Sequence, residues 1–237
     1  LETLLDELGY AVSWDGKSVT VTPPEGRRAI FVGDLVDRGP RSPDALRIAK
    51  HMVEAGTGLC VLGNHDDKLK RHLSGRNVKQ THGLAETVEQ FAGEPPEFAA
   101  EMREWLDGLI SHYVLDGGKL VVAHAGIKEA MQGRASGAIR SFCMYGETTG
   151  EIDEFGLPVR SDWAADYKGN AKVVYGHTPV VEANWVNGTL CIDTGCVFGG
   201  KLTVYRHLGE ETVDMLATRQ EFPRPDAWTG DEPLPGG

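Results

Sequence analysis

The stretch "LCVLGNHDD", residues 59–67, carries Leu59, Cys60, Val61 and Leu62 through Gly63 into Asn64, His65, Asp66 and Asp67. The apolar run reads as a buried strand, with Gly63 letting the backbone turn. Four other apolar stretches stop in the same way. "AIFVGDLVDRGP" (29–40) stops at Asp34, with Asp37 and Arg38 close behind. "KLVVAHAG" (119–126) stops at His124, "AKVVYGHTP" (171–179) at His177 and "TLCIDTG" (189–195) at Asp193. In α/β sheets ligands gather beyond the strand ends, where rigid strands hold loop donors in place. Singly, a turn aspartate or a core histidine would explain each. Their recurrence at successive strand ends points to a site.

The donors Asp34, Asn64, His124 and His177 include no thiolate. Carboxylate, amide carbonyl and imidazole together suit Mn²⁺, Fe or Zn²⁺ better than Mg²⁺ or Ca²⁺. A carboxylate can bridge two ions, as in two-metal phosphoesterases. Arg38 adds the planar cationic fork that recognises phosphate. The rest of the chain makes such a local cation necessary: 24 basic side chains against 35 acidic leave a formal charge of −11. That balance speaks against a bulk grip on nucleic acid or an anionic membrane. One basic run stands out, "KLKRHLSGRNVK" (68–79). It reads either as a solvated helix face or as a track for a polyanionic substrate.

With 237 residues, 41% of them hydrophobic, the chain can bury one sizeable core. No apolar run reaches membrane-spanning length and no signal-peptide pattern opens the chain. Cys60, Cys143, Cys191 and Cys196 form no C-x-x-C pair and read as reduced core thiols, so the expected compartment is the cytoplasm. Residues 1–9 look helical, and a hairpin is expected around Asp15-Gly16. "SPDALRIAKHMVEAG" predicts a helix with Ser42 as N-cap and Pro43 at the first helical position. A polar helix is expected over 66–73, with Asp66 and Asp67 capping it, and further helices near 83–92 and 96–110. Strands dominate from 119. Residues 131–170 show little periodicity. The tail 220–237, with four prolines, reads as poorly ordered.

"GDLVDRG", "GNHD", "HAG" and "GHTP" together resemble the motifs of the calcineurin-like metallophosphoesterases, over about residues 29–205. The resemblance implies an α/β fold, a four-layer sandwich of two packed mixed β-sheets flanked by helices. It implies that Asp34 bridges two metal ions, Mn²⁺ with Fe, Zn or Ni as substitutes. Asn64, His124 and His177 then complete one metal site. It also implies that Arg38 and His65 face the substrate phosphate, that Asp37 orients His65 and keeps it charged, and that hydrolysis is direct. His65 would act as general acid on the leaving group. Asp193 is expected to hydrogen-bond a ligand histidine. "YGETTGEIDEFGLPVR" and "IDTGCVFGGKLT" look like the phosphatase domain of bacterial polynucleotide kinase-phosphatase, and nearly as much like its dinucleoside-tetraphosphatase relatives. The first preference is therefore hydrolysis of RNA 2′- or 3′-end phosphates in RNA repair. Dinucleoside tetraphosphates are the alternative, ahead of a protein phosphatase or an inactive binding module.

One family element is missing. An Asp-x-His-Gly motif at the end of the first strand supplies two ligands to the other metal site, just before a helix much like "LETLLDELGY". No Asp-x-His occurs in the 237 residues. The expectation is a metallophosphoesterase domain over 1–219 that lacks the first strand, binds about one metal ion tightly and hydrolyses phosphate esters poorly.

Overall fold

A computed structural model describes residues 1–152, 158–209 and 212–217; the tail 220–237 lies outside the described residues. The chain opens with α1 (Glu2–Glu7), followed by the hairpin β1 (Ala11–Asp15) and β2 (Ser18–Thr22). Asp15 pairs with Ser18, so Gly16 and Lys17 form a two-residue turn, and Gly16 takes φ +58°. That left-handed geometry matches the twist of the flanking strands. β3 (Arg27–Phe31) leads to α2 (Ser42–Glu54), β4 (Gly58–Cys60), α3 (Asn64–Leu73), α4 (Leu84–Ala92) and α5 (Pro96–Asp107). Then come β5 (His112–Leu115), β6 (Leu120–Ala123), α6 (Gly137–Tyr145) and the pair β7 (Thr148–Ile152) and β8 (Pro158–Arg160). β9 (Lys172–Tyr175), β10 (Trp185–Val186), β11 (Thr189–Cys191), β12 (Asp193–Thr194), β13 (Lys201–Leu202), β14 (Val204–Leu208) and β15 (Thr212–Leu216) complete the order.

Two mixed sheets result. One runs β14-β15-β3-β4, with β3 parallel to both of its neighbours. The other runs β10-β11-β9-β6-β5, with β6, β9 and β11 parallel. Alternation along the strands sorts their side chains into layers. Ile30, Val32, Val213 and Met215 from the first sheet meet Leu120, Val122, Val174 and Leu190 from the second. The alternate residues Ala29 and Phe31 pack instead with Leu46 and Met52 of α2, Leu69 of α3 and Met102 of α5. Val121, Ala123 and Val173 face Ile139 and Phe142 of α6, together with Trp163 and Tyr167. Helices, sheet, sheet and helix make the four-layer sandwich that the motifs imply. Each fully buried aliphatic side chain contributes about 1.5–3 kcal/mol to holding the layers together.

Three local expectations change. Ser42 is the first helical residue rather than the cap, and its backbone N–H donates to Gln90 Oε1 at 2.7 Å. α3 starts at Asn64, two residues early, so Asn64 and His65 sit in its first turn. The aperiodic segment 131–170 contains α6, capped by Ser136, whose hydroxyl accepts from the Ile139 N–H at 3.1 Å. Its buried residues Ile139, Phe142, Cys143 and Met144 do not extend into a long stripe, which hid the helix. All four cysteines are free and buried, as expected of core thiols.

Candidate active site

The parallel strands bring donors from both sheets to one place. Asp34 lies three residues beyond β3, and Asn64 opens the helix that follows β4. His124 directly follows β6, and His177 comes two residues after β9. Asp34, His124 and His177 are buried, and one donor atom from each lies within 4.8 Å of the others. Asn64 Oδ1 is 3.0 Å from His124 Nε2 and 2.8 Å from His177 Nδ1. His124 Nδ1 lies 2.7 Å from the Val32 carbonyl, so that nitrogen carries the proton and donates. The lone pair on Nε2 is then left facing the Asn64 oxygen and, at 3.4 Å, Asp34 Oδ1. Acceptors crowded against acceptors in a buried space are the arrangement a divalent cation reconciles, so this donor set fits the metal ion that the motifs imply.

Gly63 has a different job from the one its position suggests. Its backbone is extended, φ −89° and ψ 167°, and needs no glycine for that. A Cβ there would collide with the backbone nitrogen and carboxylate of Asp34. The glycine exists so that the two motif loops can touch. Asp66, expected only as a cap, fastens them. Its carboxylate accepts the N–H of Gly63 at 3.0 Å, which is a helix cap, and those of Asp34 and Leu35 at 2.8 Å each. Burial, and then the neighbouring Asp34 carboxylate, push the Asp66 carboxyl up to about 7, while the three N–H groups oppose the shift.

His65 and Asp37 meet as expected, with Nδ1 2.6 Å from Asp37 Oδ2. The other Asp37 oxygen accepts from the Thr87 hydroxyl at 2.7 Å. His65 Nε2 is buried and has no hydrogen-bond partner among the described residues. α4 holds this loop through Thr87 and through Gln90, whose Nε2 donates to the Gly39 carbonyl at 2.8 Å. Asp34, Asp37, Arg38 and His177 all take positive φ, between 56° and 74°. Such strain costs on the order of 1–3 kcal/mol per residue and persists only where the surroundings over-determine it.

The guanidinium of Arg38 lies over the Phe198 ring at 4.9 Å. His82 is driven down by burial first, and then by the charges of Lys68, Arg38 and His65, which marks positive charge collected on the Asp37 side. The basic run does less than a substrate track would need. Lys70 pairs with Asp67 at 3.0 Å and Asp107 at 3.2 Å, and Arg71 with Asp67 at 3.0 Å. Asp193 is buried and its Oδ1 accepts the Gly195 N–H at 3.0 Å, steadying the turn beside Gly176. Burial pushes the thiols of Cys143 and Cys191 up to about 12 and that of Cys60 well above its ordinary value, which suits packing rather than nucleophilic chemistry.

Thr87 escaped the sequence reading because one threonine inside a helix, 50 residues from its aspartate, carries no local signal. Asp66 was visible, but only as a cap.

Residues 15–215 match the family Metallophos, described as calcineurin-like phosphoesterase. Among curated relatives, a protein of Geobacillus sp. (strain WCH70) is 44% identical over 224 residues, 93% of this chain and 90% of its own. One from Bacillus subtilis (strain 168) is 42% identical over 219 residues, 91% and 88%. Both are named bis(5′-nucleosyl)-tetraphosphatase PrpE [asymmetrical]. A solved structure 21% identical, covering 80% of each chain, superposes with a TM-score of 0.53, a likeness of fold.

Proposed function

Since the chain belongs to the calcineurin-like phosphoesterase family and is a metal-dependent phosphatase by that membership, we propose that its substrate is a dinucleoside tetraphosphate, split asymmetrically. The observation that carries this reading is the name shared by relatives that align with more than nine-tenths of the chain. It outweighs the sequence preference for RNA ends, which rested on the resemblance of two segments and in part on a basic run now found in ion pairs with Asp67. Splitting four phosphates unevenly gives a nucleoside triphosphate and a nucleoside monophosphate.

Asp34, Asn64, His124 and His177 would hold the cation, with Mn²⁺ as the proposed ion. When bound, it would supply Lewis-acid charge to a phosphoryl oxygen and lower the pKa of water. Arg38 grips the phosphoryl oxygens. Asp37 takes the Nδ1 proton of His65 in a hydrogen bond, which fixes the ring and leaves Nε2 to meet the leaving oxygen. Thr87 keeps Asp37 from turning away. The four free buried thiols fit a reducing compartment such as the cytoplasm, and no helix among the described residues is long and apolar enough to cross a membrane.

The test is a panel in Mn²⁺: diadenosine tetraphosphate, an RNA 3′-phosphate and a cyclic 2′,3′-phosphate. ATP and AMP from the first, at a kcat/KM well above the others, is the expected result. Two ADP, or faster turnover of RNA ends, would overturn the reading.

A further inference from the structure

A cavity of about 250 Å³ adjoins the metal donors and has no role in the chemistry above. His177 forms part of its wall, so whatever fills it sits beside the phosphates. Trp163 and Tyr175 also line it, with ring centroids 4.9 Å apart and planes at 61°. Arg160, Glu147 and Asp162 contribute the polar lining. Their charges are already engaged. Arg160 donates to the Tyr145 carbonyl, and Glu147 accepts from Lys128 and from the Ser161 hydroxyl. Asp162 Oδ1 accepts the Ala165 N–H at 3.2 Å.

The character of this lining decides the occupant. With Glu147 paired to Lys128 and Arg160 bonded to the Tyr145 carbonyl, the lining gathers no excess positive charge for another phosphate, and the positive charge around Arg38, Lys68 and His82 belongs to the other flank. A flat, uncharged ring with N–H donors on its edge suits aromatic walls and carboxylate acceptors together. The cavity falls just below the volume of a drug-sized site, which suits a single nucleoside. The wall is also built in. Gly126, the last residue of "HAG", takes φ +108°, and a Cβ there would strike the Trp163 ring. The loop behind His124 is therefore shaped around the indole.

Resting on the dinucleoside reading above, we propose that this cavity receives one nucleoside of the substrate, its base against Trp163 and Tyr175. The phosphate chain then runs from the cavity past His177 towards Arg38. Base contact of this kind strengthens binding by about tenfold or more.

Titration calorimetry in chelator, where no hydrolysis proceeds, compares AMP with ribose 5-phosphate, which carries a C1′ hydroxyl in place of the base. AMP should bind about tenfold tighter. Val180→Trp, which fills the cavity from its wall, and Tyr175→Leu, which removes one ring, should each bring the two affinities together. Ribose 5-phosphate should still bind both variants as it binds the parent while AMP falls to its level, which a general loss of folding would not give. Equal affinities in the parent chain overturn the proposal. So does a parent preference that both variants leave intact, because the base then sits elsewhere. The substrate reading fails separately. If diadenosine tetraphosphate is not cleaved while AMP keeps its advantage, the cavity stands and the dinucleotide does not. If cleavage is efficient and the two ligands bind equally, the reverse holds.

Discussion

The two flanks of the site are built from different interactions. On the Asp34 flank, buried ions and hydrogen bonds set every position: Asp66 holds three N–H groups, and Asp37 sits between His65 and Thr87. On the Trp163 flank, rings and apolar contacts form a space, and the polar groups around it are satisfied by their own neighbours. The first arrangement suits chemistry, which tolerates little displacement of the reacting groups. The second suits selection among substrates, where shape and desolvated ring contacts decide.

If that division is real, substitutions on the two flanks should separate by substrate. Asp34→Ala and His124→Ala remove cation donors and should cost several kcal/mol, about 10³-fold or more in kcat/KM on every phosphate ester. Metal analysis should find about one tightly bound ion in the parent and loss of it in these variants. Two tightly held ions would show donors beyond the four named here. A Tyr175→Leu loss as large as that of Asp34→Ala on p-nitrophenyl phosphate would erase the division.

Next comes His65→Ala, which should cost about 10²–10⁴-fold in kcat on an alkyl phosphate. It should cost much less on p-nitrophenyl phosphate or a phosphoanhydride, whose leaving groups need little protonation. Equal losses would remove His65 from the acid role. Thr87→Val should lower kcat on the alkyl phosphate about 10–100-fold with KM little changed, since it frees Asp37 without touching substrate. Thr87→Ser should restore most of the loss. A change confined to KM would put Thr87 among the substrate contacts.

The smallest effect concerns the far end of α4. Glu94, just past that helix, has its carboxyl held below the ordinary glutamate range by Arg47, against its burial and with help from Lys17. A depressed carboxylate stabilises the fold above its unfolded value and loses that contribution as pH falls through the folded one. Melting of the parent should therefore drop more steeply than melting of Glu94→Gln between about pH 5 and 3, by on the order of 1 kcal/mol. Parallel curves would mean that the pair does not brace α4.

The same contrast explains what could be read before the structure. Asp34, Asn64, His65, His124 and His177 each end an apolar run, so type and position announced them together. The layers followed from strand alternation such as Ala29/Ile30/Phe31, whose faces the structure divides between two cores. Thr87 and the Trp163–Tyr175 pair carried no such mark. Asp37 lies 50 residues from Thr87 and the ring pair spans an irregular segment, so a lone threonine or tryptophan has an ordinary meaning until the fold brings the partners together. The names of the relatives favour the alternative over the RNA-end preference, and the basic run behind that preference proves compensated. Asp67, just ahead of the run, pairs with both Lys70 and Arg71, and Asp107 on another helix adds a second partner for Lys70.

The Asp66 clasp bears on how this site could be inherited or transplanted. Its carboxylate spans the loop after β3 and the start of α3, and the absent side chain of Gly63 lets the two come close enough to be joined. "GDLVDRG" and "GNHD" are thus halves of one device. A graft that carries either half into a foreign scaffold brings donors without their fastening. Drift at Gly63 or Asp66 would silence the site while leaving every metal donor in the sequence, so an inventory of ligands would still count such a protein as intact.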